Sequence, residues 1–167
     1  GSPVPTLVLD KNHTVTHWNK ACEQIIGIPA SEMIGTRDHW KAFYPSQRPI
    51  MADLVISGNP GEMLSLYASK DRQSELVQGA FEGEDSFPKF NRWLFFTAAP
   101  LQDKQGQIIG SIETLQDITE RKLAEASLRA AQSELAATLA AVPDLLFDVD
   151  LHGHILDQHS PNTDLLL

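Results

Sequence analysis

The chain contains 167 residues, of which 42% are hydrophobic and 21% are charged, a balance that is typical of a soluble globular domain and excludes a disordered chain. Its 13 basic and 22 acidic residues give a net charge of −9, which repels phosphate backbones and anionic lipid, so neither nucleic acid nor a membrane surface is an expected partner. A single cysteine, Cys22, excludes a disulfide within the chain and favours a reducing, cytoplasmic location.

From its two ends, we expect the sequence to be a fragment of a longer protein. Residues 1–2, Gly-Ser, are interpreted as a cloning scar, and the three leucines at 165–167 are an unusual place for a domain to stop. No apolar run approaches the ~20 residues that a membrane-spanning helix needs.

The chain opens with strand formers on both sides of a polar turn. Residues 6–9 and 14–18 flank the segment 10–13, which contains Asn12, and this pattern predicts a β-hairpin. Asn19 then precedes a short helical segment as an N-cap, and Gly27 and Pro29 end that segment.

The middle of the chain has weaker patterns. Residues 31–35 predict a turn or a short helix, and residues 46–57 predict a helix with Ile50 and Leu54 on one face. Residues 62–92 predict one or two short helices, interrupted at Gly79, Gly83 and Pro88, from the apolar residues Leu64, Leu66, Tyr67, Leu76 and Val77.

A strong strand pattern returns at residues 92–99. Residues 103–106 form a predicted turn, and residues 107–116 form a second β-rich run, so the two runs predict a long hairpin. Strands segregated from helices in this way predict an α+β domain with an antiparallel sheet.

Residues 120–142 predict a helix, because they contain no Gly or Pro and are rich in Ala, Leu, Glu, Gln and Arg. Its length would be roughly 33 Å. Apolar and small residues step by four and three along it, which is a heptad seam and predicts a coiled-coil homodimer through this segment. The seam consists of Ala124, Leu128, Ala131, Leu135, Thr138 and Val142.

After Pro143 the chain repeats its opening layout of strand, turn and strand. The segment Phe147-Asp148-Val149-Asp150-Leu151-His152-Gly153 resembles Leu7-Val8-Leu9-Asp10-Lys11-Asn12-His13. We therefore expect residues 143–167 to be the truncated start of a second copy of the first module.

Two groups of short motifs lie on these elements. The first group is Val8-Leu9-Asp10, Trp18-Asn19-Lys20-Ala21, Gly27-Ile28 and Met33-Ile34-Gly35, and the second is Pro100-Leu101, Gly106, Ile109-Gly110 and residues 117–122. Over residues 5–122 they resemble a PAS domain with its PAC segment. The most specific match is Asp-Ile-Thr followed by Glu-Arg-Lys and a heptad helix, the typical exit of bacterial PAS sensors.

The resemblance implies a PAS-like antiparallel sheet flanked by short helices and followed by a coiled-coil-like signalling helix. It divides the chain into a PAS/PAC sensory domain at 3–119, a helical linker at 120–142 and the start of a second PAS domain at 143–167. Residues 40–45, 48–49 and 52–54 resemble sensor domains of histidine kinases, as in two-component systems, or of diguanylate cyclases.

The expected function is therefore to sense a signal and to relay it to a downstream domain. A signal that shifts the sheet would pass through Asp117, Ile118 and Thr119, whose side chains can cap the helix and fix its angle, and then along Leu128, Ala131, Leu135 and Val142 to a partner helix. Merely capping the helix is the alternative role of Asp117 and Thr119.

PAS domains often hold a small molecule between sheet and helices, so an organic metabolite is an expected ligand. Packing in the core is the alternative role of the aromatic candidates. The pocket candidates are Trp18, Trp40, Phe43, Tyr44, Arg48, Phe95 and Leu115.

The sequence argues against flavin and haem. Cys22 lacks the photoreceptor motif, and Leu115 stands where flavin domains usually carry an amide. Haem domains usually take a His from the helix before the long hairpin, but no His lies between His39 and His152. His39 is conceivable as an axial ligand, although a surface or hydrogen-bonded role fits it better. One Cys and scattered His give no zinc spacing.

Two other readings of the chain are a structural coupling domain without a ligand and an α+β enzyme. No phosphate loop, nucleophile elbow or metal motif is present, so we expect the fragment to be non-catalytic and any kinase or cyclase to lie outside it.

Overall fold

The computed structural model describes residues 2–58, 66, 71–73, 79–141 and 146–159. The chain divides into two compact units, Gly1–Thr119 and Glu120–Leu167. The first unit is the predicted α+β domain, in which short helices accompany an antiparallel sheet. Across the described residues, no helix combines the length and the apolar character of a membrane span.

The sheet of the first unit has six strands among the described residues, in the order β2-β1-β6-β5-β4-β3, and neighbouring strands run antiparallel. The predicted hairpins β1–β2 and β5–β6 are both present, and β6 joins them by pairing with β1. The strands are β1 (Thr6–Asp10), β2 (Val15–Trp18), β3 (Asp71–Gln73), β4 (Phe81–Phe87), β5 (Arg92–Gln102) and β6 (Ile108–Asp117).

Short helices lie between β2 and β3, and Asn19 caps the first of them as predicted. The Asn19 Oδ1 atom accepts a hydrogen bond from the Cys22 backbone N–H at 2.9 Å. Gly27 ends this helix with a φ of 82°, a conformation that glycine adopts without strain. The helices are α1 (Lys20–Ile26), α2 (Ala30–Met33), α3 (Trp40–Phe43) and α4 (Met51–Ser57).

The predicted helix at 46–57 is wrong in its first turn, because α4 begins only at Met51. Pro49 explains the late start. A proline disfavours helical backbone in the residue before it, and here it is followed by Ile50, whose extended backbone forms the N-cap of α4.

Residues 81–87 form β4, a strand that the sequence does not predict, because the helices expected within residues 62–92 depend on apolar residues earlier in that range. This acidic segment with a central Gly83 has little intrinsic β-propensity. Its seven residues pair in register with β5, from Phe81 opposite Ala98 to Phe87 opposite Arg92. The neighbouring strand therefore determines its conformation. Of the apolar residues behind the helix prediction, Leu66 alone is described and is helical, whereas Leu64, Tyr67, Leu76 and Val77 lie outside the described residues.

One face of the sheet, together with α1 and α4, forms the hydrophobic core of the first unit. Gly110 allows β6 to approach β1 closely, since a Cβ atom at this position would lie 2.3 Å from the Leu9 carbonyl oxygen. The largest fully buried apolar side chains are Phe96, Leu7, Leu9, Ile50, Met51, Leu54, Leu94, Leu115 and Val15.

In the second unit, helix α5 spans Thr119–Ala141 and is followed by a two-stranded hairpin of β7 (Leu146–Val149) and β8 (Ile155–His159). The turn of this hairpin repeats that of β1–β2. In each, one aspartate, Asp10 or Asp150, accepts backbone N–H bonds from the residues two and four positions later. In each, the third residue after the aspartate has a positive φ: 63° at His13 and 84° at Gly153.

Candidate functional site

The passage from β6 to α5 is held by a chain of hydrogen bonds to the start of β5. Ile118, the one residue between the two elements, is buried, and its N–H donates to the Trp93 carbonyl at 2.9 Å. The Trp93 N–H donates to Thr119 Oγ1 at 2.9 Å. Two consecutive residues of the junction are thus fixed to one residue of the neighbouring strand.

Asp117 closes this chain of hydrogen bonds. Its Oδ1 atom accepts from the Thr119 hydroxyl at 2.6 Å and from the Thr119 N–H at 2.9 Å, and Oδ2 pairs with the Arg92 guanidinium. Partial burial raises the pKa of the Asp117 carboxyl, but the bonds from Thr119 and the Arg92 charge outweigh it, so the pKa lies below its usual value. The carboxylate accepts the first N–H of α5, whereas the Thr119 hydroxyl oxygen accepts the Trp93 N–H of β5.

A cleft of about 690 Å³ opens beside this junction, a volume in the range of small-molecule sites. Arg92 and Asp117 stand at it together with the segment before β1 and with α1. Its lining consists of Pro3, Val4, Pro5, Ala21, Gln24, Ile25, Arg92, Leu115, Gln116 and Asp117.

The core aromatics lie in ring-to-ring contact. Phe87 is their centre: its ring centroid lies 5.6 Å from that of Phe90, 5.7 Å from that of Phe43 and 6.2 Å from that of Phe96. Tyr44 joins them at 6.1 Å from Phe87. Phe87 is not among the predicted pocket residues, because it ends β4, a strand that the sequence does not predict.

The predicted pocket residues do not all reach this core. Trp18, Phe43 and Leu115 are buried there. The guanidinium of Arg48 lies 4.1 Å from the ring centroid of Tyr44, and both side chains are partly exposed.

Two of the predicted pocket residues lie elsewhere. Phe95 was expected to line the pocket, but the structure places it elsewhere. It alternates with the buried Leu94 and Phe96 along β5 and therefore projects from the opposite face of the sheet. Trp40, at the start of α3, is partly exposed, and the Lys41 ammonium lies 5.6 Å from its ring.

A buried polar cluster that the sequence did not predict surrounds Asp53, in the first turn of α4. Asp53 Oδ2 accepts from His39 Nε2 at 2.9 Å and from the Ile50 N–H at 2.9 Å, while Oδ1 contacts His13 Nδ1 at 2.7 Å. Burial raises the pKa of the Asp53 carboxyl, but the hydrogen bond and charge of His39, helped by Ile50 and His13, lower it below its usual value. His39 has a hydrogen-bonded role here.

A second carboxyl, that of Glu113, lies in the sheet opposite the same helix turn. Its Oε2 atom accepts a hydrogen bond from the Ala52 N–H at 2.8 Å. Burial, together with the negative charge of Asp53, raises the pKa of Glu113 to about 8 even though the Ala52 N–H favours the charged form. Ser111, two residues earlier on the same face of β6, is fully buried, and its hydroxyl has no hydrogen-bond partner among the described residues.

A signal for Glu113 was present in the sequence. In β6 the buried positions alternate, and Glu113 falls in phase with Leu115, so a charged residue occupies a core position of a central strand. No pattern in the sequence indicates the contact between Asp53 and His39, because that contact depends on how α4 packs.

Cys22 lies on the buried face of α1, as expected of a structural cysteine. Burial raises the pKa of its thiol to about 12, which keeps it protonated and unreactive. Within the described residues, no group of three His, Cys, Asp or Glu side chains is arranged to hold a metal ion.

Leucine side chains of the predicted heptad seam of α5 are exposed to solvent. Leu128 is 61% exposed and Leu135 is 60% exposed, and Ala131 lies between them on the same helix. Val142 lies outside the described residues. Two leucines exposed to this degree on one heptad seam form an apolar stripe that is open to solvent among the described residues.

Comparisons with known proteins agree on the fold. A family model described as "PAS fold" matches residues 1–123. The structure of an RNA-binding light-oxygen-voltage receptor is 19% identical with a TM-score of 0.50, covering 82% of this chain but only 35% of that one. The PAS domain of BvgS from Bordetella pertussis is 19% identical, with a TM-score of 0.45 and coverage of 80% and 90%.

The PAS domain of the histidine kinase ThkA is also 19% identical, with a TM-score of 0.40 and coverage of 68% of this chain and 98% of that domain. No curated protein matches the chain significantly. At these identities the structural likeness concerns the fold alone, and the chain spans about a third of the receptor that it matches.

Proposed function

The chain belongs to the PAS fold family, and we propose that it is a sensory module that relays its signal from the sheet through Asp117, Ile118 and Thr119 into α5. PAS domains are sensory modules and generally not catalytic. The observation that carries this proposal is the continuous hydrogen-bonded link from Trp93 to Thr119 to Asp117, which couples β5, β6 and the start of the helix. We therefore expect a movement of either strand to move the first turn of α5.

The output in this proposal is a histidine kinase or a diguanylate cyclase further along the parent protein, reached through a homodimer of α5. The exposed Leu128 and Leu135 support the dimer, because a second copy of the helix would cover the stripe that they form. The repeated turn at Asp10 and Asp150 supports a second PAS domain that begins after α5 and receives the signal first. The presence of one buried cysteine, Cys22, and no second one with which it could pair supports a cytoplasmic location.

Two forms of this function differ in whether a small metabolite binds between sheet and helices. The cleft at Arg92 and Asp117 favours a ligand, because one bound there would touch the junction directly. The ring-to-ring packing around Phe87 favours ligand-free coupling, since these aromatic side chains already fill the core with one another. Native mass spectrometry of the chain against a metabolite library separates the two forms.

The relay is tested in the full-length parent protein by Asp117→Ala, with kinase or cyclase output as the readout. Asp103→Ala is the matched control, because Asp103 accepts two backbone N–H bonds, from Gln105 and Gln107, at the other end of the same hairpin. We expect Asp117→Ala to change the output and Asp103→Ala to leave it unaltered. Equal output from the two variants would remove the relay role from Asp117.

A further inference from the structure

Backbone N–H groups at the start of α4 donate to two carboxyl groups, one from the helix itself and one from the sheet. Asp53 accepts the Ile50 N–H at 2.9 Å, and Glu113 accepts the Ala52 N–H at 2.8 Å. Glu113 is 4% exposed, and its strand β6 is in the middle of the sheet between β1 and β5. A buried carboxyl group of this kind joins the helix layer to the strand that leads into the junction.

The surroundings of Glu113 oppose a negative charge. On α4 it faces Asp53, whose carboxylate is already stabilised by His39 and His13. On α1 it faces the thiol of Cys22. Burial raises the pKa of this thiol, and a negative charge on Glu113 would raise it further, so the thiol is neutral. Its cross-strand partners are the uncharged Leu7 on β1 and Ala98 on β5. On its own strand, its two neighbours on the same face are Leu115 and Ser111, whose hydroxyl has no hydrogen-bond partner among the described residues.

His13 brings a third segment of the chain to this polar cluster. It lies in the β1–β2 turn with a φ of 63°, at the position that Gly153 occupies in the second hairpin turn. Its Nδ1 atom lies 2.7 Å from Asp53 Oδ1. This contact helps to hold the Asp53 carboxylate, whose negative charge opposes ionisation of Glu113.

We propose that Glu113 is a proton-binding site that couples pH to the junction: its neutral carboxyl group holds α4 against β6, and loss of its proton loosens that contact. The proposal rests on the proposed function, since it supplies one input to the relay. Ionisation transfers the Glu113 proton to solvent and leaves two carboxylates, those of Glu113 and Asp53, next to the first turn of α4. Water or an outward shift of α4 then relieves their repulsion and the lost solvation.

The altered contact reaches the junction along a short path. Glu113 and Asp117 are four residues apart on β6, and Glu113 pairs with Ala98 of β5 while Asp117 pairs with Leu94. A displacement of β6 relative to β5 therefore acts on the bonds that join Trp93, Ile118 and Thr119. Raising the pH through the Glu113 transition should move the backbone at the start of α5.

The test is an NMR titration of the whole 167-residue chain from about pH 3 to about pH 9.5, with ¹³C-labelled glutamate carboxyl groups and ¹⁵N-labelled amides, a range that covers both an ordinary and a raised glutamate midpoint. We expect one carboxyl signal to titrate with a midpoint near 8 and to disappear in Glu113→Gln. The amides of Ile118 and Thr119 should shift with the same midpoint in the wild-type chain and lose that transition in Glu113→Gln. The exposed Glu32→Gln is the matched control and should change neither result.

Asp53→Asn gives an independent check, because removing the neighbouring charge should lower the Glu113 midpoint while keeping its carboxyl signal. An ordinary midpoint between 4 and 5 for Glu113 in the wild-type chain, where no variant has to fold, overturns the proton site and leaves the relay through Asp117 standing. A midpoint near 8 without any matching shift at Ile118 and Thr119 overturns the coupling instead.

Discussion

Removal of the Asp117 carboxylate should loosen the start of α5 while leaving the sheet folded. Asp117→Ala deletes the acceptor of the Thr119 N–H and hydroxyl and the partner of Arg92, but the Trp93 N–H keeps its bond to Thr119. Loss of a helix cap costs about 1 kcal/mol, and an ion pair as exposed as this one contributes ~0–1 kcal/mol. We therefore expect a loss of about 1.5 kcal/mol in the free energy of unfolding, which is roughly a tenfold change in an opening equilibrium.

Hydrogen exchange of individual amides measures this effect. The Thr119 amide should exchange about tenfold faster in Asp117→Ala, beyond any change that is uniform across the sheet. Asp103→Ala should cost a similar free energy, since it also removes a carboxylate that accepts two hydrogen bonds, but its effect should be confined to the amides of Gln105 and Gln107. Equal acceleration of Thr119 exchange by Asp103→Ala would contradict the claim that the Asp117 carboxylate protects the Thr119 amide locally.

Three further changes test the core, the buried carboxyl and the helix. Phe96→Ala should lower the free energy of unfolding by ~3–5 kcal/mol in chemical denaturation, whereas Phe95→Ala on the other face should cost less than half of that. The raised pKa of Glu113 means that the stability it contributes is complete below pH 4.5 and is lost as the pH rises towards about 8. Wild-type stability should therefore fall by up to about 5 kcal/mol over this window, and a Glu113→Gln variant with the same fall would contradict the assignment. Charging the exposed stripe with Leu128→Glu and Leu135→Glu should convert a dimer to a monomer in analytical ultracentrifugation, and an unchanged sedimentation coefficient would argue against a dimer through α5.

The parts of this protein that the sequence predicted are those with local physical causes. The hairpin β1–β2 follows from strand formers on either side of an Asp-initiated turn, and α1 follows from Asn19 and Gly27, whose roles depend on residues a few positions away. The same holds at the junction, where Asp117 and Thr119 are neighbours in sequence and in space. The motif at residues 117–122 was enough to identify the exit of a PAS domain.

The sequence could not predict features that depend on long-range pairing. The acidic segment of β4 is a strand because β5 pairs with it, and it brings Phe87 into the aromatic core. Phe95 was expected in the pocket, but the register of β5 places it on the opposite face, and the phase of one strand is decided by which of its faces the helices cover.

The opening and the exit of the domain were therefore determined by the sequence alone, because caps, turns and strand alternation act within a few residues. Only the tertiary structure decided the buried polar cluster. Asp53, His39 and His13 come from three separate segments, and Glu113 meets them from the sheet, 60 positions along the chain from Asp53. The protonation of a carboxyl group depends on the burial and charges that surround it in space, and the folded chain alone brings those together.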